Sequence, residues 1–310
     1  MTSIIYIAGK GRSGSTLLDR LLGQVDGVFS AGELWRLWHV REPSKHRCGC
    51  SRPLNECAVW SRVLEGIDQR NTDVDRIRAD QQLLFTWKVL PRLAVGRSRI
   101  ESWPPMRRYV AAMDRVYEDL ATITGSRAVV DSSKWPFDPI AVSTRHSHNV
   151  QLVHLIRDVR AVAFSWQRKK QFTDRAEPEP MPRFGTVHSV ASWTARNLSA
   201  EWMSRYTPVT RVRYEDLVRE PLGELTRIAT LVNLEVGDLR LDDGRIDISP
   251  THTVAGNPGR MHNGPVAIRV DDAWLAELDS RSRRMATVLG WPLLARYGYL
   301  RTSETPPVGS

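Results

Sequence analysis

Eight consecutive residues, Gly9-Lys10-Gly11-Arg12-Ser13-Gly14-Ser15-Thr16, bring together three glycines, two cations and three hydroxyls. They follow the apolar run Ile4-Ile5-Tyr6-Ile7-Ala8 and lead into Leu17-Leu18-Asp19-Arg20-Leu21-Leu22, which reads as a buried strand, a glycine-rich turn and a helix. Glycine reaches backbone angles closed to other residues, so successive N–H groups can converge on an anion at the positive end of the helix. Such a turn is a phosphate cradle. A loop that hydrolyses nucleoside triphosphates reads G-x-x-x-x-G-K-[ST], with its lysine on the terminal phosphates and its hydroxyl on magnesium. Gly9 and Gly14 keep that spacing, but Ser15 holds the lysine position and the positive charge has moved to Lys10 and Arg12. The missing lysine argues against a magnesium-nucleotide site.

Further groups have chemistry to offer. Glu33 follows the short apolar run Val28-Phe29-Ser30-Ala31, and a strand end beside a phosphate loop is where an α/β sheet places chemistry. Cys48, Cys50 and Cys57 form the pattern C-x-C-x6-C. Three thiolates with a fourth ligand such as His46 suit zinc, although the spacing is not that of a standard finger, and buried thiols that merely lie close read the same way. His39, His154, His188, His252 and His262 are titratable near neutrality, though a lone histidine is more often a satisfied structural residue than a base.

The elements that must position these groups alternate. Short apolar strands are expected at Ala128-Val129-Val130, from Asn149 to Ile156 and from Val209 to Val212. Amphipathic helices are expected over Val74 to Leu90, Met106 to Thr124 and His188 to Tyr206, and further helices over Val159 to Lys170, Leu222 to Leu231 and Asp271 to Val288. That alternation predicts an α/β protein with a parallel sheet flanked by helices. Val40 to Trp60, Gly96 to Pro105 and Asp243 to Pro265 read as irregular or loop segments, and the Pro-rich stretch Thr173 to Phe184 as a flap. No internal repeat or long linker divides the chain, so one domain is expected over residues 1–300, with a frayed tail at 301–310.

Composition sets the bounds. The chain has 310 residues, is 41% hydrophobic and 25% charged, and carries a formal net charge of +9. That charge suits anionic ligands such as a nucleotide or an acidic acceptor, or equally an arginine-rich surface. The sequence holds no run of five like charges and no recognisable nucleic-acid module, so no nucleic-acid partner is expected. No signal segment or membrane-spanning run is evident and the three cysteines suit a reducing compartment, which together predict a cytoplasmic protein.

The loop is similar to the 5′-phosphosulfate loop, R-S-G-[ST]-[ST]-L, of the sulfotransferases that use 3′-phosphoadenosine 5′-phosphosulfate (PAPS). His154-Leu155-Ile156-Arg157-Asp158, continuing to Ser165-Trp166, resembles a second motif of that family, in which an arginine at a strand end and a serine eight residues later bind the 3′-phosphate. Asp131-Ser132-Ser133-Lys134 resembles a D-S-S-K segment of bacterial members, whose lysine reaches the transferring group. Arg213-Tyr214-Glu215-Asp216-Leu217 resembles their [RK]-Y-E-D-L segment, and His252 to Arg260 their late H-x-x-x-G-N-P-x-R loop. The matches run from residue 9 to residue 260, whereas residues 35–127 carry no functional motif.

The resemblance implies a P-loop-like sulfotransferase fold, PAPS as sulfuryl donor, 3′,5′-ADP as product and no required metal. Lys10, Gly11, Arg12, Ser13, Gly14, Ser15, Thr16, Arg157, Ser165 and Arg260 are then the expected cofactor-binding residues. Glu33, Lys134 and Arg12 are the expected catalytic ones. Some members use a glutamate shortly after the first loop as base and others a histidine. Glu33, 21 residues beyond Arg12, fits the first pattern if partial burial raises its pKa, whereas a surface ion pair with Arg36 is the plainer alternative. The acceptor is expected to be a hydroxyl or amine of a carbohydrate, lipid or small molecule, with Trp35, Trp38, Trp60, Trp87 and Trp103 as candidate lining. Two other readings stay open: a variant P-loop kinase, and a basic nucleotide- or nucleic-acid-binding protein without catalysis.

Overall fold

The computed structural model describes residues 2–86, 102–135, 148–169, 171–172 and 179–300. Strand β1 (Ser3–Gly9), helix α1 (Ser15–Leu22) and strand β2 (Val28–Gly32) open the chain. Helices α2 (Trp60–Gln69), α3 (Val74–Leu84) and α4 (Pro104–Thr124) follow, then β3 (Ala128–Lys134), β4 (Asn149–Ile156) and α5 (Val159–Gln167). The two-residue strands β5 (Gln171–Phe172) and β6 (Glu179–Pro180) pair as a ribbon before α6 (Thr186–Trp202) and β7 (Val209–Arg213). Helices α7 (Tyr214–Arg219) and α8 (Pro221–Thr230), the antiparallel pair β8 (Arg245–Ile248) and β9 (Gly264–Ala267), and helices α9 (Trp274–Glu277) and α10 (Ser280–Arg296) complete the described chain.

Five strands form one parallel sheet in the order β2-β3-β1-β4-β7. The middle strand β1 is apolar and buried from Ile4 to Ala8 because both of its faces are covered. In β1 the side chains alternate: Ile4, Tyr6 and Ala8 join a core with α2, α3 and α4, whereas Ile5 and Ile7 join one with α1, α7 and α8. A third cluster packs α10 onto α5 and α6 through Val159, Val162, Trp193 and Leu294. Since all five strands point the same way, the C-terminal ends of β1, β2, β3 and β4 emerge along one edge. That edge carries Gly9, Gly32, Lys134 and Ile156.

Several expected boundaries move. The last helix begins at Ser280 instead of Asp271, because the Asp279 carboxylate caps it by accepting from the Ser282 N–H at 2.9 Å, while Leu278 is extended and buried. It continues past Val288 and through Pro292 to Arg296. Val288 lies on the solvent side, where water can serve the carbonyl that loses its partner to the proline. The segment Asp243 to Pro265, expected as loop, contains β8 and the start of β9. Residues 87–101, 173–178 and 301–310 lie outside the described residues, and with them Trp87, most of the Gly96–Pro105 link, half of the expected flap and the expected tail.

Candidate active site

The glycine-rich turn bends as its composition requires. Gly9 and Gly14 have φ of 143° and 93°, and a Cβ at Gly14 would stand 2.5 Å from the Tyr214 ring. Gly14 is the N-cap of α1 and has no side-chain cap, so the first-turn N–H groups of the helix face the loop. Arg12 takes the left-handed conformation with φ of 76°, and Lys134 at the end of β3 does the same with φ of 68°. Non-glycine residues pay about 1–2 kcal/mol for that backbone, a cost that concentrates at functional sites.

Both cations project into one cleft of about 580 Å³ at the sheet edge, lined also by Lys10, Gly11, Gly14, Ser15, Thr16, Glu33, Arg157, Ser165 and Arg196. Its lining carries six cations (Lys10, Arg12, Arg36, Lys134, Arg157 and Arg196) against two carboxylates, Glu33 and Asp271, among the described residues. Lys10 is 6% exposed, with its ammonium 4.9 Å from the Trp166 ring centre; burial, with Arg196 nearby, pulls it down to about 8. Burial also lowers the Arg12 guanidinium, which Glu33 partly counters, and its Nη1 is buried without a partner among the described residues, as is Ser13 Oγ. Buried, unsatisfied donors beside the positive end of a helix fit an anion. Arg157 lies at the end of β4 with Tyr214 beneath it at 4.4 Å, and donates through Nη1 to the Arg12 carbonyl at 3.3 Å. Its Nη2 meets Asp271, at 2.7 Å from the carbonyl and 3.2 Å from Oδ2.

Glu33 sits at the end of β2, buried and doubly paired. Its Oε1 is 2.5 Å from Lys134 Nζ, and its Oε2 accepts from Arg36 Nε at 3.0 Å and from Trp35 Nε1 at 3.3 Å. Burial pushes the carboxyl up, but Lys134 and Arg36 outweigh that and hold it at about 2. The expectation of a raised pKa is therefore corrected. Burial and the Arg36 pair are both present, though the carboxylate is not at the surface, and Lys134 joins Arg36 against burial.

The structure sorts the histidines. His154 is in the core, where Nε2 is 2.8 Å from Asn197 Oδ1 and burial lowers it to about 4. His39 contacts Gln81 Oε1 at 2.6 Å, outside the cleft lining. His262 is likewise absent from that lining, whereas His188 belongs to it, stacked on Phe184 at 4.4 Å.

Arg260 is not brought to the cleft. It is 1% exposed, and its Nη1 bonds the Thr253 carbonyl at 2.7 Å while Nη2 bonds the Arg47 carbonyl at 2.6 Å, fixing the wall that presents Gly256 and Asn257. Of the five tryptophans, Trp35 lines the cleft, Trp38 and Trp60 are buried in the core, and Trp103 packs partly buried against it. The aromatic lining is Trp35 together with Trp135, Trp166, Phe184, His188 and Tyr214. Arg196, whose Nη1 holds the Lys134 carbonyl at 3.0 Å, and Trp135 below it had no readable motif. The signal available for Arg196 was only its place on an amphipathic helix. Glu215 and Asp216 are structural: Glu215 accepts from Tyr299 Oη, and Asp216 pairs with Arg213 and Arg219.

The three cysteines do come together, but with His252 and not His46. Their sulfurs and one imidazole nitrogen lie within 4.8 Å of one another. No helix among the described residues is long and apolar enough to cross a membrane.

The sequence model of the sulfotransferase family matches residues 4–238. No curated protein matches the chain in sequence. Among solved structures, a sulfotransferase domain from the curacin biosynthetic pathway is 18% identical, with a TM-score of 0.47 over 93% of this chain and 98% of that one. A sulfotransferase domain from the Synechococcus PCC 7002 olefin synthase is 17% identical, with a TM-score of 0.49 over 94% of each chain. A sulfotransferase from Alicyclobacillus acidocaldarius is 12% identical, with a TM-score of 0.43 over 97% of this chain and 96% of that one.

Proposed function

The chain belongs to the sulfotransferase family, and from that premise we propose that it transfers the sulfuryl group of PAPS to a hydroxyl or amine of a carbohydrate, lipid or other small acceptor. The observation that carries this reading is the cation excess around the glycine loop, where Arg12 Nη1 and Ser13 Oγ are buried without a hydrogen-bond partner among the described residues. Lys10, Arg12 and the α1 N-terminus would hold the 5′-phosphosulfate, and Arg157 with Ser165 the 3′-phosphate. In-line transfer builds negative charge on the leaving phosphate oxygen. Fixed cations there are worth roughly 2.7–4 kcal/mol per well-placed donor in comparable oxyanion sites.

Lys134 links the two halves of the reaction. At rest its ammonium is shared with Glu33. Turned toward the sulfuryl oxygens, it stabilises them and weakens its hold on Glu33. Burial, the largest influence on that carboxyl, then raises its pKa and makes it a base for the acceptor proton. The aromatic side chains Trp35, Trp135 and Phe184 would form the acceptor side of the cleft.

Titration calorimetry with 3′,5′-ADP tests the donor assignment. Micromolar binding, lost in an Arg157→Ala, Ser165→Ala double variant and not reproduced by ATP-magnesium, is the expected result. A folded protein that ignores 3′,5′-ADP and binds ATP-magnesium would overturn it in favour of a kinase.

A further inference from the structure

The segment 46–58 has little regular structure and no core of its own, yet it is held tightly at one point. Cys48 N–H bonds the Arg52 carbonyl at 2.8 Å and Ser51 N–H bonds the Cys48 carbonyl at 2.8 Å, with Ser51 in the left-handed region at φ 69°. This tight knuckle turns the Cys48 and Cys50 side chains to the same side. Gly49 permits the close approach to a distant strand-like segment: its N–H bonds the Thr253 carbonyl at 3.0 Å, and a Cβ there would stand 2.5 Å from the Thr251 carbonyl oxygen. His252 lies between those two residues, 204 positions beyond Cys48.

The four ligand atoms form a compact set. Cys57 Sγ is 3.5 Å from Cys48 Sγ and 3.2 Å from His252 Nδ1, and Cys48 Sγ is 3.8 Å from that nitrogen. Tetrahedral zinc with Zn–S of about 2.3 Å and Zn–N of about 2.0–2.1 Å requires S···S of roughly 3.7 Å and S···N of roughly 3.5 Å. The two S···N edges lie on either side of the second value, and the S···S edge of 3.5 Å is slightly shorter than the first. Backbone N–H groups aim at the sulfurs as well, from Val59 and Trp60 to Cys57 and from Cys50 to Cys48. Fixed donors of this kind support thiolates and set their orientation. Cys48 and Cys57 are buried while Cys50 and His252 are half-exposed, which leaves a route for an ion to enter. Thiolates with an imidazole select a soft or borderline ion over magnesium or calcium.

We propose that Cys48, Cys50, Cys57 and His252 bind one zinc ion. With four protein ligands and no open position the ion is structural. It lies outside the cleft lining, so sulfuryl transfer needs nothing from it. Its effect is on shape: the His252 segment continues to Val254 and Ala255, whose N–H and carbonyl pair with the end of β2 at Ala31 and Glu33, and then to Gly256 and Asn257 in the cleft wall. The ion would pin that wall, and through it the Glu33 backbone, to the segment before α2.

The test uses full-length, tag-free protein expressed with added zinc and purified under reducing conditions. Elemental analysis is expected to find one zinc per chain, and cobalt exchanged into the site is expected to show the intense visible bands of a tetrahedral ion together with thiolate charge-transfer absorption. Cys50→Ser and His252→Ala are each expected to lower zinc affinity by more than tenfold, and chelation of the wild type to lower Tm by several degrees. Reduced wild-type protein that holds no zinc and takes up no cobalt would overturn the proposal. So would full zinc occupancy in the folded Cys50→Ser, His252→Ala double variant, or a Cys48–Cys57 disulfide in metal-free protein isolated without air. These measurements need no nucleotide or acceptor, so they stand apart from the sulfotransferase assignment.

Discussion

Lys134 Nζ, at the end of β3, lies 2.5 Å from Glu33 Oε1 at the end of β2, and this pair joins the residue that would bind the transferring group to the residue that would take the proton. Two neighbouring parallel strands deliver the partners, so their separation is set by the sheet.

The first expectation concerns the base. Glu33→Gln is expected to lower kcat by roughly 10²–10⁴-fold while donor affinity stays within about threefold. His188→Ala, on the cleft rim, is expected to cost less than about tenfold. In Lys134→Met one of the two cations that hold the Glu33 carboxyl down is gone while burial still pushes it up, so the acid limb of the kcat/KM profile should move to higher pH, beyond any loss in rate. A limb that stays in place, or a larger loss in His188→Ala than in Glu33→Gln, would assign proton transfer to another group.

Asp271 and Arg157 supply the second. The Asp271 carboxylate occupies Arg157 at 3.2 Å from a partly exposed position, 42% accessible in its side chain. A 3′-phosphate bound at Arg157 would have to compete with it. Asp271→Asn is expected to tighten 3′,5′-ADP by up to about tenfold, and Arg157→Ala to weaken it by roughly a hundredfold, since hydrogen bonds to charged groups contribute about 1.5–3 kcal/mol. Calorimetry reads both, and tighter binding in Arg157→Ala than in wild type would remove Arg157 from the phosphate site.

Lys10 predicts a pH dependence of binding. Its ammonium loses its proton in the free protein near 8, and a bound phosphate favours the charged form. Affinity for 3′,5′-ADP is therefore expected to be level below about pH 7.5 and to fall above 8, approaching a tenfold loss per pH unit. Lys10→Arg, which stays charged, is expected to flatten that fall between about pH 8 and 9.5. An identical decline in the variant would locate the titrating group elsewhere.

What could be read from the sequence was contiguous. The glycine loop, the strand ends and the Arg157-to-Ser165 spacing each lie within one strand-turn-helix unit, where local geometry carries the residues to the sheet edge. Influences that cross the chain were not readable. Glu33 has Arg36 three residues away but Lys134 at a separation of 101, and the two together outweigh burial. Arg260 shows the same limit from the other side: its motif was recognised, yet the fold spends its guanidinium on Thr253 and Arg47 beneath the wall. The fourth member of the cysteine cluster, His252, is supplied by a segment far down the chain, and proximity in sequence pointed to His46.

The last prediction concerns stability. Asp19, fully inside the protein behind the glycine loop, accepts from Ser30 Oγ and Ser132 Oγ at 2.8 Å each and so ties α1 to β2 and β3. Burial raises its carboxyl to about 7, which the two serines only partly offset, and Asp131 adds repulsion. The folded protein thus keeps a proton that the unfolded chain has released, and Asp19 makes stability decline as pH rises from about 4 to about 7. His154, lowered to about 4, acts oppositely between about 4 and 6.5, and Glu33, at about 2, matters only below about 4.5. Asp19→Asn removes the first contribution and leaves the other two, while its amide can still bond both serines. Relative to wild type it is expected to gain about 1–3 kcal/mol in stability between about pH 5 and pH 8, since each tenfold change in proton affinity on folding is worth about 1.36 kcal/mol. Urea denaturation of both proteins across that range measures the difference, and a constant offset would show that Asp19 is already ionised in the fold at about pH 5.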